Sequence, residues 1–128
     1  MSVNFKSIAR RDPRDIMATP KHYAMVVSNG ATDIDQLSQL ISDGSTVTQA
    51  DVYAVIIRLV NTIQNELSQG RTVRLGKLGS FNLSVNSEGV DTPDKVTPSL
   101  IKRTKIRYRP SLELNNMLKT LRFSKKSD

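Results

Sequence analysis

Apolar residues recur along the chain in two rhythms, and the switch between them divides it. From residue 31 the spacing is helical. In "ATDIDQLSQLISDG", Ile34, Leu37, Leu40 and Ile41 fall on one face, Thr32 stands at the cap position, and Gly44 closes the run. Asp33 and Asp35 suit the positive N-terminal end of such a helix. "TQADVYAVIIRLVNTIQNELSQG" repeats the rhythm over a longer stretch. Thr48 stands three residues before Asp51, an acidic form of the capping box, and Gly70 supplies a left-handed stop. The stripe of Val52, Val55, Ile56, Leu59, Val60, Ile63 and Leu67 is widened by Tyr53 and Ile57. A helix apolar over so much of its circumference must be covered on more than one side. A second copy of the chain is therefore expected to pack on it, with Val55, Leu59, Ile63 and Phe81 in the shared core.

Beyond Gly70 the period falls to two. "TVRL" and "SFNLSV" read as strands joined by a turn around Gly76 and Gly79. The glycines and the Gly76-Lys77 dipeptide invite comparison with a nucleotide phosphate loop. That loop needs four residues before its Gly-Lys, then a hydroxyl residue, then a helix. Here five residues separate Gly70 from Gly76, Leu78 replaces the hydroxyl, and a strand follows. The nucleotide reading fails. Residues 86–104 lose all periodicity and contain Pro93 and Pro98, which predicts an extended loop or arm. "IKRTKIRYRP" resumes a strand, with Ile106 and Tyr108 on one side and Lys105, Arg107 and Arg109 on the other. Pro110 and Ser111 then open a last helix carrying Leu114, Met117, Leu118 and Leu121. At the front, "HYAMVVSNG" predicts one additional strand with Ser28-Asn29-Gly30 as its exit turn. "ARRDPRD" before it has no pattern and reads as flexible, and "RFSKKSD" reads as a frayed basic tail.

Charge adds what pattern cannot. The 128 residues carry a net charge of +7, but unevenly. Residues 1–21 have five basic against two acidic residues, 22–70 one against five, and 71–128 thirteen against five. Segregation of this kind predicts a positive face. Arg71, Arg74 and Lys77 coincide with Lys102, Arg103, Lys105, Arg107 and Arg109 in the strand region, and these eight are the expected phosphate contacts. Chemistry beyond binding has little material. There is no cysteine and one histidine, His22, while Asp33, Asp35 and Asp51 are accounted for at helix starts. No enzyme, metal site or cofactor is expected. The first twenty residues lack the apolar core of a secretion signal, and "VYAVIIRLV" is too short to span a bilayer, so a cytoplasmic protein is expected.

The order of elements from residue 31, with "LSQLIS", "TQADVYAVIIRLVNTIQNELSQGRTVRLGKLGSF" and "YRPSLEL", resembles the HU/integration-host-factor family of dimeric bacterial DNA-bending proteins. Val73 and Leu75 match its strand, Lys77-Leu78-Gly79-Ser80-Phe81 replaces its glycine-phenylalanine turn, and Tyr108-Arg109-Pro110-Ser111 matches the opening of its final helix. The leading thirty residues resemble the longer HU-HIG variants of Bacteroides-type bacteria. The resemblance implies an HU/IHF-like α+β fold in an intertwined dimer: two N-terminal helices, an antiparallel sheet with an arm, and a C-terminal helix. Residues 1–30 would be an extension with an extra strand, 31–121 the DNA-binding domain, and 122–128 the tail. It also implies a histone-like, nucleoid-associated homodimer that binds double-stranded DNA without sequence preference through a basic saddle. One departure stands out. The family's arm carries an Arg-Asn-Pro-x-Thr-Gly tip whose proline wedges between base pairs; here the segment offers Glu88, Asp91 and Asp94, with Pro93 and Pro98 as intercalating or arm-stiffening residues. Two other readings stay open: an RNA-binding module, for which Gly76-Lys77-Leu78-Gly79 spells the GxxG clamp of KH domains, and an HU-fold interaction module that has lost DNA bending.

Overall fold

The computed structural model describes residues 2–126; Ser127 and Asp128 of the basic tail lie outside them. The described residues form a mixed α+β fold of two compact units, one from residues 34–116 and the other from residues 2–33 with 117–126. The larger unit starts with helices α1 (Ile34–Asp43) and α2 (Gln49–Ser68). Strands β3 (Val73–Arg74), β4 (Gly79–Ser87) and β5 (Ile101–Pro110) follow as a three-stranded sheet in that order, and helix α3 (Leu112–Leu118) comes next.

The long helix begins and ends where its sequence says. The Thr48 hydroxyl accepts from the Asp51 amide at 3.2 Å, a cap that contributes about 1 kcal/mol. At the other end Gly70 turns left-handed with φ 79°, its amide donates to the Leu67 carbonyl, and the Arg71 amide donates to the Glu66 carbonyl. That pair of bonds is a Schellman motif, which satisfies carbonyls the helix leaves open. Helix α1 lies against α2, and on it Ser38 is fully buried, its hydroxyl donating to the Ile34 carbonyl at 2.7 Å. Much of the apolar stripe of α1 stays open: Leu37, Leu40 and Ile41 are exposed. On α2 only Val52 and Leu67 are buried, while Val55 is 65% and Val60 47% exposed.

The turn between β3 and β4 is a single 3-10 turn, Gly76–Leu78, closed by the Leu75 amide on the Gly79 carbonyl at 2.8 Å. Gly79 has φ 125° and is buried, because the backbone of Arg109 and Pro110 occupies the space a Cβ would need. Around Gly76 that space is open. Two hydroxyls fasten the turn from β5 and α3: Tyr108 donates to the Leu78 carbonyl and Ser111 to the Lys77 carbonyl. Ser111 also accepts from the Leu114 amide and so caps α3.

The smaller unit corrects the sequence reading. One extra N-terminal strand was expected, with a flexible lead and a frayed tail. Instead β1 (Val3–Arg10), β2 (Lys21–Val26) and β6 (Phe123–Lys125) form a second sheet in the order β2-β1-β6. Strand β1 runs antiparallel to β2 and parallel to β6. Its alternation is broken, since Val3 and Phe5 share a face but Ile8 lies on the other. The strand exists because β2 folds back on it as a hairpin and β6 supplies a second partner from the far end of the chain. The exit turn at Ser28 is as expected, with the Gly30 amide donating to the Ser28 hydroxyl and φ 108° at Gly30.

Candidate nucleic-acid interface

Pairing register decides which cations share a surface. Arg74 lies opposite Ser80, and Ser80, Asn82, Ser84 and Asn86 lie opposite Arg109, Arg107, Lys105 and Arg103. Successive side chains alternate faces. Arg74, Arg103, Lys105, Arg107 and Arg109 therefore stand on one face of the β3–β4–β5 sheet, interleaved with serine and asparagine. The opposite face carries Val73, Phe81, Leu83, Val85, Ile106 and Tyr108, and the Phe81 and Tyr108 rings stack with centroids 5.1 Å apart. None of the five cations is ion-paired with a described residue. At one end a hollow of about 270 Å³ opens between Arg74 and Arg109 over Gly76, Gly79 and Ser80.

The other three expected contacts are placed differently. Arg71 follows the Schellman turn and holds Glu66 at 3.0 Å. Lys77 sits in the 3-10 turn, 3.4 Å from Glu113. Lys102 is the extra residue of a bulge, since Asn86 pairs with Arg103 but Ser87 pairs with Ile101, and it lies 3.7 Å from Glu88. Exposed pairs of this kind are worth about 0–1 kcal/mol, so little holds these cations back from a stronger anion.

The connection between β4 and β5 is not a featureless loop. The Glu88 amide bonds the Leu100 carbonyl, and Pro93 and Pro98 each open a short 3-10 turn, Pro93–Lys95 and Pro98–Leu100. Both prolines thus sit where a fixed φ stiffens the chain. The Asp94 carboxyl is held below the ordinary carboxylate range by hydrogen bonds from the Thr92 side chain and from its own backbone amide. The tip stays anionic. The GxxG stretch joins β3 to β4 rather than two helices, so it lacks the setting of a KH clamp.

Sequence reasoning centred on charge passed over Ser80, Asn82, Ser84 and Asn86, whose hydroxyls and amides share the cationic face. The signal was present in the strict alternation of "SFNLSVN".

Residues 1–125 match the family model described as an HU domain fused to a winged helix-turn-helix, immunoglobulin-like or glycine-rich motif. The chain belongs to the HU-HIG family. Among solved structures it is similar to a protein of Bacteroides vulgatus, described provisionally as a bacterial DNA binding protein, with a TM-score of 0.63 and 12% identity. The likeness covers 98% of this chain and 49% of the other, so the present chain spans about half the length of that neighbour. At such low identity the match speaks to fold, and it agrees with the HU-HIG assignment. No curated protein matches the chain. Among the described residues of this HU-HIG chain no helix is long and apolar enough to cross a membrane.

Proposed function

We propose that this HU-HIG chain binds double-stranded DNA without sequence preference, through the cationic face of the β3–β4–β5 sheet. The observation that carries the reading is the register that gathers Arg74, Arg103, Lys105, Arg107 and Arg109 on one face free of carboxylate partners among the described residues. Arginine and lysine on a ribbon reach phosphates at every step of a duplex, and phosphates carry no sequence. Membership of a family built on an HU domain supports DNA as the polyanion. Arg71, Lys77 and Lys102 are secondary contacts that exchange a weak surface ion pair for a phosphate. The chain has no catalytic role in this reading; it organises DNA in the nucleoid.

The binding unit is a homodimer. Val60, Ile63, Leu67, Phe81, Leu83 and Ile106 line an apolar groove of about 530 Å³ between α2 and the sheet. Val55 on α2 is as exposed as Ile106, and Leu59 lies one turn on along the same helix. Contiguous apolar surface of this kind is a contact surface. Sedimentation equilibrium is expected to give twice the 14.3 kDa chain mass at micromolar concentration; a single-chain mass overturns the dimer.

Fluorescence anisotropy with two unrelated duplexes tests the binding. Both should bind alike, and affinity should fall on the order of 10³-fold between ~50 and ~200 mM salt if ~6 phosphates are engaged. A preference for single-stranded RNA over duplex DNA would favour the RNA-binding reading. No binding to either at low salt would leave a protein-interaction module.

A further inference from the structure

The β1–β2 ribbon carries a second constellation that the cationic sheet does not use. Arg10 and Lys21 lie directly opposite each other at the end where the connecting loop closes it. Like charges at paired positions repel, and nothing in the fold requires them there. Arg11 follows, and the three cations line a cradle of about 650 Å³ with Tyr23 and one acid, Asp12, so that cations outnumber carboxylates three to one. No described carboxylate is ion-paired to any of them. The connecting loop is held in shape by its two acids: Asp12 accepts from the Arg14 amide at 2.8 Å and Asp15 from the Met17 amide at 3.1 Å. Each of these turns is closed again by a backbone bond, Asp15 to Asp12 and Ala18 to Asp15. This ordered loop presents Ile16, 75% exposed, and Met17, 92% exposed. Loop tips are ordinarily small and polar. Two bare apolar side chains on a structured tip, flanked by unpaired cations, form a wedge set among phosphate contacts.

The geometry points to a second contact for duplex DNA on the β1–β2 ribbon, with Arg10, Arg11 and Lys21 on the phosphates and Ile16 and Met17 entering a groove as an apolar wedge. This rests on the reading of the chain as a DNA-binding protein and adds a site to it. Isoleucine and methionine are among the side chains that pry base steps apart from the minor groove. The cradle's positive charge selects a polyanion over an uncharged protein surface. The wedge stands on a different ribbon from the acidic β4–β5 tip, so any kinking need not come from Pro93 or Pro98.

Three full-length variants test it, each checked by its thermal melt and sedimentation. With Arg10→Gln, Arg11→Gln and Lys21→Gln combined, the slope of log affinity against log salt should fall by about 2 or more. With Ile16→Ser and Met17→Ser combined, affinity should change little, but the rise in 2-aminopurine fluorescence that reports unstacking in wild-type complexes should vanish. The third variant, Lys105→Glu with Arg107→Glu, addresses the sheet alone. An unchanged slope in the first variant, or an unstacking signal that survives in the second, overturns the ribbon site. If the sheet variant still loses binding, the main reading stands without it. A wild-type protein that ignores duplex DNA at low salt sinks both. Phosphatidylserine vesicles provide the remaining control: co-sedimentation that duplex DNA cannot compete away would assign the ribbon to membranes and overturn the proposal.

Discussion

Lys105→Glu with Arg107→Glu is expected to weaken duplex DNA binding on the order of 10³-fold, by anisotropy at ~100 mM salt. The two residues sit in the middle of the cationic face, opposite Ser84 and Asn82. Each reversal removes one attraction and adds one repulsion, and the proposed dimer would double the change. Fold should survive. Both side chains are exposed on β5, and neither is ion-paired with a described residue. The thermal melt should therefore stay within about 2 °C of wild type, as surface substitutions usually alter stability by no more than about 0.5 kcal/mol. The loss should be the same for unrelated duplexes, because phosphate contacts position without specifying. Binding that persists at wild-type strength would place the interface elsewhere.

Gly79→Ala should produce the largest loss of stability of any single methyl added to this chain. A Cβ there would overlap the Arg109 carbonyl oxygen and lie 3.1 Å from Pro110 Cα, at a backbone φ of 125°. The obstacle is strand β5 itself, which cannot swing aside as a flexible side chain would. The strained dihedral alone costs about 1–3 kcal/mol, and overlap adds to it. A total of about 3 kcal/mol or more lowers the melting temperature by roughly 10 °C or more. Gly76→Ala is the control. Its φ is 55° but the space around it is open, so it should cost only about 1–2 kcal/mol. Equal melts for the two variants would show that the close approach of β5 is unimportant. Survivors of Gly79→Ala should also bind DNA poorly, since the displaced backbone is that of Arg109.

What the sequence discloses depends on how local the cause is. Helix α2 is legible because Thr48, Asp51, the apolar stripe and Gly70 agree within one segment. Strands β4 and β5 are legible because their alternation is strict, and the turn at Gly76–Leu78 is legible from the glycines that join β3 to β4. Lys102 stands outside the row twice over: alternation sets it apart from Arg103, and it is the unpaired residue of the bulge, which only the pairing reveals. Charge groups it with its neighbours; geometry separates it. Strand β1 is invisible for a different reason: its partners lie in β2 and in the last residues of the chain. The tail "RFSKKSD" looks frayed when read alone, yet Phe123–Lys125 within it form a strand beside Val3–Phe5.

The bulge at Lys102 and the acids beyond it give the β4–β5 ribbon an electrical polarity. Its shaft from Arg103 to Arg109 is positive over about 20 Å at ~3.4 Å per residue. Its far end holds Asp91 and a firmly ionised Asp94. In the field of a polyanion such a lever is drawn down at the root and lifted at the end. In the duplex contact proposed above, its footprint would thereby be capped near the length of the shaft, about six base-pair steps at ~3.4 Å each, and neighbouring molecules could crowd along a duplex without their arms competing for the same stretch.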